Sequence, residues 1–161
     1  PDDFTGLVLG STTMAFAVLV ATIPEYEVVY MDGTVKEYSL KHFAEEINKA
    51  DAVLINAHSS IGALNTEFNV KFIQEIDANK PIIVGGHHAT VYDFEWLKRG
   101  AHYVIRNEGE ITLKELLHTL EGGGSFENIQ GLSWRDKDNN HHRNPDRPLI
   151  ESLDDLPIPD W

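Results

Sequence analysis

Four short segments hold the residue types that could bind a ligand, and each directly follows an apolar run: Ser11-Thr12-Thr13, Ala57-His58-Ser59-Ser60-Ile61-Gly62, Gly85-Gly86-His87-His88-Ala89-Thr90, and Asn107-Glu108-Gly109-Glu110-Ile111-Thr112. Gly85 and Gly86 carry no Cβ, so a flat or bulky ligand can approach the backbone there; a plain tight turn is the alternative. The hydroxyls of Ser59 and Ser60 can hydrogen-bond a ligand's polar edge, or simply cap the next stretch of chain. Glu110 near a helix start is favoured by the macrodipole with no further role.

Several chemistries are disfavoured by pattern. Neither Gly-x-x-x-x-Gly-Lys-Ser/Thr nor an early Gly-x-Gly-x-x-Gly is present, which argues against a phosphate loop and a dinucleotide fingerprint. With no cysteine, thiolate zinc sites, disulfides and protein-held iron–sulfur clusters are excluded within this chain. His87-His88 and His141-His142 are adjacent pairs. On extended chain such neighbours point to opposite faces, and the second pair is expected in a solvated turn, so no protein-held metal site is expected. No nucleophile elbow or Ser/His/Asp arrangement suggests a triad, so no catalytic residue is assigned.

The elements that must position these segments alternate regularly. Strands are expected at Gly6–Gly10, Glu27–Met31, Asp51–Asn56, Pro81–Val84 and Tyr103–Ile105. Helices are expected at Met14–Thr22, where the sequence is apolar on all sides, after Ser39, around Phe68–Ile76, near Asp93–Arg99, and through Leu113–Leu120 up to Gly122-Gly123-Gly124. Five strands alternating with helices imply an α/β, flavodoxin-like (Rossmann-like) parallel sheet of order 2-1-3-4-5, covered on both faces. In such sheets a ligand sits beyond the carboxyl ends of the strands, where all four segments fall. Residues 1–124 form this domain. Residues 125–161 are expected to add a β-hairpin around Asp136–Asn140 and an extended linker, which holds four of the seven prolines.

Composition narrows the partners. With 13 Lys+Arg against 26 Asp+Glu, the net charge of −13 repels nucleic acid and anionic membrane surfaces. The apolar run Met14–Ile23 is about half of the ~20 residues a membrane span needs. A soluble, cytoplasmic protein is expected, and the start at Pro1 suggests an excised piece.

Taken together, these segments resemble a known family. Pro81-Ile-Ile-Val-Gly-Gly-His-His-Ala-Thr90 is similar to the Pro-x-Val-x-Gly-Gly-x-His-Ala/Pro-Thr stretch of cobalamin-binding domains in radical-SAM enzymes. Val104-Ile-Arg-Asn-Glu-Gly-Glu-Ile-Thr-Leu113 resembles their Val-x-x-Gly-Glu-Gly-Glu-x-Thr-Leu, and Gly131-Leu-Ser-Trp-Arg-Asp136 their Gly-Leu-x-Tyr-Arg-Asp. Asn144-Pro-Asp-Arg-Pro148 and Leu153-Asp-Asp-Leu-Pro157 look like the linker into the radical-SAM barrel. The resemblance spans roughly residues 27–161. Asn107 stands where the family often has glycine, and His87 where it often has proline.

The resemblance implies a chain that binds cobalamin base-off, as Thr13 falls where related corrinoid domains carry the cobalt-ligating histidine. The implied contacts are Ser11, Thr12, Thr13, Ala57, His58, Ser59, Ser60, Ile61, Gly85, Gly86, His87, His88, Ala89, Thr90, Asn107, Glu108, Gly109 and Glu110. The corrin would lie over the 11–13 and 57–62 loops, with its nucleotide tail beside the fourth strand. It also implies a radical-SAM domain in cis carrying S-adenosylmethionine and a 4Fe-4S cluster, so that this chain is non-catalytic alone and part of a methyltransferase or cyclase. The alternatives are a free-standing corrinoid carrier or sensor, or a cofactor-free flavodoxin-like interaction domain.

Overall fold

The computed structural model describes residues 4–9, 14–33 and 36–159, without the side chains of Met14, Ser60 and Ile61. Its centre is one sheet of seven strands in the order β2-β1-β3-β4-β5-β6-β7. The first five are β1 (Thr5–Leu9), β2 (Glu27–Met31), β3 (Ala52–Asn56), β4 (Ile82–Gly85) and β5 (Tyr103–Ile105). They pair in parallel with the expected 2-1-3-4-5 order. The hairpin strands β6 (Leu132–Arg135) and β7 (His141–Arg143) do not stand apart. They continue the same sheet, with β6 antiparallel to β5 in the register Val104↔Ser133.

Successive side chains of the parallel strands serve opposite faces. Leu7, Leu9, Val53, Ile55, Ile82, Val84 and Val104 pack with α2 (Leu40–Lys49), α3 (Ser60–Ile76), α4 (His87–Val91) and α5 (Asp93–Lys98). Val8, Ala52, Leu54, Ile83 and Ile105 pack with α1 (Met14–Ala21), α6 (Glu110–Leu120) and Trp134 of the hairpin. Both faces are therefore covered. The helix starts have local causes: Ser39 and Ser59 each accept a hydrogen bond from the backbone N–H three residues on, at 3.1 Å.

Four local expectations change. The segment 57–62 is only partly a loop, because α3 already begins at Ser60. His87-His88 is not extended but opens α4, a one-turn helix without apolar periodicity of its own. α1 is not covered on all sides: Phe16 is buried, the rest of its described side chains are half-buried and Ala15 is exposed. His142 does not lie in a solvated turn. It sits in β7, stacked on Trp134 at 4.3 Å between ring centroids, with Nε2 2.8 Å from Asp136 Oδ2. That contact holds the Asp136 carboxyl well below the usual carboxylate range.

The tail after β7 is strapped to the domain by polar contacts. Arg106, with none of its surface exposed, donates to Asp146 Oδ1 (2.8 and 3.0 Å), Ser133 Oγ (2.5 Å) and the Asn144 carbonyl (2.6 Å). Ser133 in turn donates to the buried Asp93 at 2.6 Å, which also accepts from Arg143 at 2.7 Å. Arg147 reaches Thr112 Oγ1 at 2.9 Å and pairs with Glu115. A second short helical turn, Leu153–Asp155, interrupts the extended tail.

His102 supplies a pH dependence. Its Nδ1 accepts from the Ile82 backbone N–H at 3.2 Å, and burial, then the nearby Arg135 charge, lower its pKa from 6.5 to about 4. Between those two values the unfolded chain binds a proton that the folded chain refuses. This stabilisation is complete above pH ~6.5 and is lost as pH falls toward 4. Thermal melts from pH 7 down to pH 4.5 should therefore show a steeper fall in Tm for the wild type than for His102→Gln; parallel curves would contradict it.

Candidate functional site

At the carboxyl ends of β3, β4 and β5 the core does not close. A cavity of about 280 Å³ opens between the sheet and the helices α1 and α6. Leu54, Ile83 and Ile105 form its floor, while Phe16 and Leu19 of α1 and Leu113 of α6 form its walls. Gly85 and Gly86 bound it on one side, and Asn107, Glu108, Gly109 and Glu110 on another. Protein cores seldom contain voids larger than a water molecule. An apolar cavity of ~150 Å³ already admits a benzene ring. The space here therefore suits a bicyclic aromatic group with room to spare.

The glycines act differently from one another. Gly85 lies on the same strand face as Ile83, and a Cβ there would meet nothing closer than the Ile105 carbonyl at 4.0 Å. Its missing side chain is cavity space. Gly86 has φ +101°, in the left-handed region, and a Cβ would press against Asn56 Oδ1 and the Ala57 carbonyl oxygen at 3.0 Å. Gly86 is thus required by the backbone itself.

Hydrogen bonds between neighbouring turns hold the rim. The Ala57 N–H donates to the Gly85 carbonyl at 2.8 Å, and the His88 N–H to the Ala57 carbonyl at 3.0 Å. Thr90 Oγ1 accepts from the Asn107 N–H at 2.9 Å and donates to the Gly86 carbonyl at 3.2 Å. Asn107 has φ +59°, a conformation that glycine or asparagine adopts at least cost. That is the physical reason asparagine is tolerated at this position, where the sequence resemblance implies glycine. Glu108 accepts from the Ile150 N–H at 2.6 Å, so the strapped tail reaches the same rim.

One rim group is left over. Glu110 Oε2 is shielded from solvent and has no hydrogen-bond partner among the described residues. Buried oxygens are nearly always paired, and this one is free to accept a hydrogen bond from a polar group entering the cavity.

The sequence-derived site residues divide clearly. Gly85, Gly86, Asn107, Glu108, Gly109 and Glu110 meet at the cavity. Thr90 ties the rim together. Ala57 and Ala89 are buried in the core on the opposite face of the sheet. His88 does not line the cavity either: it accepts from Trp96 Nε1 at 3.2 Å and its ring lies 4.7 Å from that of Tyr92. The turn of α4 swings it against α5. His58, Ser59 and His87 are exposed on the carboxyl edge, and the Ser59 hydroxyl caps α3. Ser60 and Ile61 open α3, and Ser11, Thr12 and Thr13 lie outside the described residues. Sequence reading missed the apolar lining from Phe16, Leu19, Leu54, Ile83, Ile105 and Leu113. One signal was present: α1 is apolar on every side, more than one buried stripe requires.

A broader hollow of about 600 Å³ lies over the ends of β1 and β2, lined among others by Leu9, Met31, Tyr38, Phe43 and Phe68. It is continuous with the carboxyl edge but separate from the crevice.

Known proteins point the same way. The model of the B12 binding domain family matches residues 10–117. An uncharacterized methyltransferase of Pyrococcus horikoshii is 33% identical over 142 residues, covering 85% of this chain and 30% of that protein. Cytidylyl-2-hydroxyethylphosphonate methyltransferase of Streptomyces wedmorensis is 29% identical over 104 residues, covering 64% of this chain and 20% of that protein. Among solved structures, the cobalamin-dependent S-adenosylmethionine radical enzyme OxsB, with aqua-cobalamin and S-adenosylmethionine bound, superposes with a TM-score of 0.78 at 15% identity. That match covers 98% of this chain and 24% of OxsB. The radical S-adenosylmethionine methyltransferase TsrM from Kitasatospora setae, with cobalamin and a [4Fe-4S] cluster, gives 0.76 at 17% identity over 99% of this chain and 31% of that one. The chain therefore spans less than a third of each of these relatives.

The two glycines make opposite predictions. Gly86→Ala forces a side chain into a left-handed turn and against Ala57, and should cost about 2 kcal/mol or more, lowering Tm by several degrees. Gly85→Ala meets only open space and should leave Tm within about 2 °C. Differential scanning calorimetry of the two variants decides it; equal losses would refute the distinction.

Proposed function

Because this chain belongs to the B12 binding domain family, we infer that it is the cobalamin-holding module of a longer radical-SAM enzyme and binds the cofactor base-off. The observation that carries the reading is the apolar crevice beside Gly85-Gly86, at the sheet edge where such folds receive ligands. Its size and apolar walls fit the aromatic base of the nucleotide tail, and the unpaired Glu110 oxygen fits a polar atom of that tail.

In this reading Phe16, Leu19, Leu54, Ile83, Ile105 and Leu113 exclude water from the tail, and Gly85 leaves it room. The corrin covers the carboxyl edge at the exposed His58 and Ser59. Cobalamin would supply a cobalt–carbon bond, and with it methyl transfer or a related radical step; the chain's own residues bind and orient it. No residue of this chain is assigned to bond making or breaking. A radical-SAM domain in cis, with S-adenosylmethionine and a 4Fe-4S cluster, would supply the radical.

The net charge of −13 supports a small-molecule ligand over nucleic acid or an anionic membrane surface. Among the described residues no helix is long and apolar enough to cross a membrane, and a cytoplasmic setting is proposed.

Reconstitution tests the reading. After incubation with hydroxocobalamin and desalting, the protein should retain a red-orange colour with a base-off absorption spectrum. A colourless protein with intact circular dichroism would refute cobalamin binding, and a base-on spectrum would refute the tail's place in the crevice. Gly85→Leu should fold normally but bind cobalamin about 10-fold more weakly or worse, since its side chain occupies the crevice. An uninterrupted reading frame continuing into Cys-x-x-x-Cys-x-x-Cys would support the radical-SAM assignment, and a stop codon after Trp161 would favour a free-standing carrier.

A further inference from the structure

Glu110 stands out from every other acidic group around the cavity. Glu108 accepts a hydrogen bond from Ile150, and the first turn of α6 is otherwise tied down through Thr112 and Arg147. Of the acidic groups lining the cavity, only Glu110 has an oxygen, Oε2, enclosed without a partner among the described residues, in a space whose remaining lining is mainly aliphatic and aromatic. A carboxyl oxygen in that position is a cost to the empty protein, because it has left water and gained nothing. A helix-start role does not account for it, since the macrodipole rewards an acid at an exposed α6 terminus equally well.

Resting on the cobalamin reading above, we propose that Glu110 is a polar specificity determinant for tail-bearing corrinoids, beside the shape selection of the apolar walls: its Oε2 accepts a hydrogen bond from a protic group of the nucleotide tail. The apolar walls hold the tail's flat base whatever its substituents, and so select for shape. Glu110 selects for a donor. The carboxyl is thereby satisfied only when the tail is in place, and the stability forfeited in the empty protein returns as affinity and discrimination.

The proposal separates from a structural role by the size of a stability change. Glu110→Met keeps length and helix propensity but removes the orphaned oxygen. It should leave the Tm of the ligand-free protein within about 2 °C of the wild type, because the lost helix-start charge offsets the relief of the orphaned oxygen, whereas loss of a structural contact would lower it by several degrees. The same variant should bind hydroxocobalamin about 10-fold more weakly, as loss of a buried hydrogen bond implies. Its affinity for cobinamide, which has the corrin ring and no nucleotide tail, should match the wild type. Glu110→Gln, which retains an acceptor oxygen, should recover most of the loss.

Absorbance titrations of the three proteins with both corrinoids, together with calorimetry, give the answer. A Tm several degrees lower in Glu110→Met, unchanged cobalamin affinity, an equal loss for cobinamide, or no recovery in Glu110→Gln would each overturn the assignment to Glu110 while leaving corrinoid binding intact. A wild-type protein that binds neither corrinoid would overturn the functional reading and this inference with it.

Discussion

The site depends on a space beside the sheet that must stay unfilled although the strands and helices around it are packed into a core. Cavities destabilise, because the lining side chains lose their packing partners. This one persists because its rim is set by hydrogen bonds to the backbone and not by side-chain interdigitation. The turns after β3, β4 and β5 are lashed to one another through the Ala57–Gly85, His88–Ala57 and Asn107–Thr90 bonds. α1 stands off the sheet with its apolar surface only half covered. A ligand that fills such a space stabilises the folded state in proportion to its saturation, so part of this chain's stability is expected to reside in its cofactor.

The second support is the buried polar network that starts at Arg106, the residue immediately before the 107–110 rim. Arg106 is enclosed and binds Asp146, Ser133 and the Asn144 carbonyl, while Asp93 gathers Ser133 and Arg143. Removing one partner from such a network strands a buried charge. The hairpin and the tail are therefore integral to the position of the rim loop, a point made directly by the Glu108–Ile150 bond. Segments whose sequence resembles a passive linker thus brace the crevice side of the domain.

Much of this architecture was legible from local patterns. Period-independent apolar runs bounded by Gly, Asp and Asn marked the five parallel strands, and the spacing of Phe43 and Ile47 or of Leu113, Leu116 and Leu117 marked their helices. The position of Gly85-Gly86 at a strand end pointed to the crevice. The features that local patterns misjudged are those that only neighbours create. α4 is a single turn with no periodicity, and is held by its bonds to the β3 and β4 turns. His142 looked solvated until Trp134 was placed across the hairpin from it. The tail looked extended and free because its partners Arg106, Thr112 and Glu115 lie some thirty to forty positions away in sequence.

The amino-acid sequence by itself determined the layer order, the strand order and the edge of the sheet at which the crevice opens, because periodicity and turn residues act within a few positions. Tertiary structure alone decided which side chains share that edge. Ala57, His88 and Ala89 were removed from the crevice by the turn of α4 and the face alternation of the sheet. Phe16, Leu19 and Leu113 were brought in from helices far apart along the chain. The isolation of Glu110 is the clearest case. An unpaired oxygen is a property of everything around it, and no stretch of sequence can show what a residue lacks.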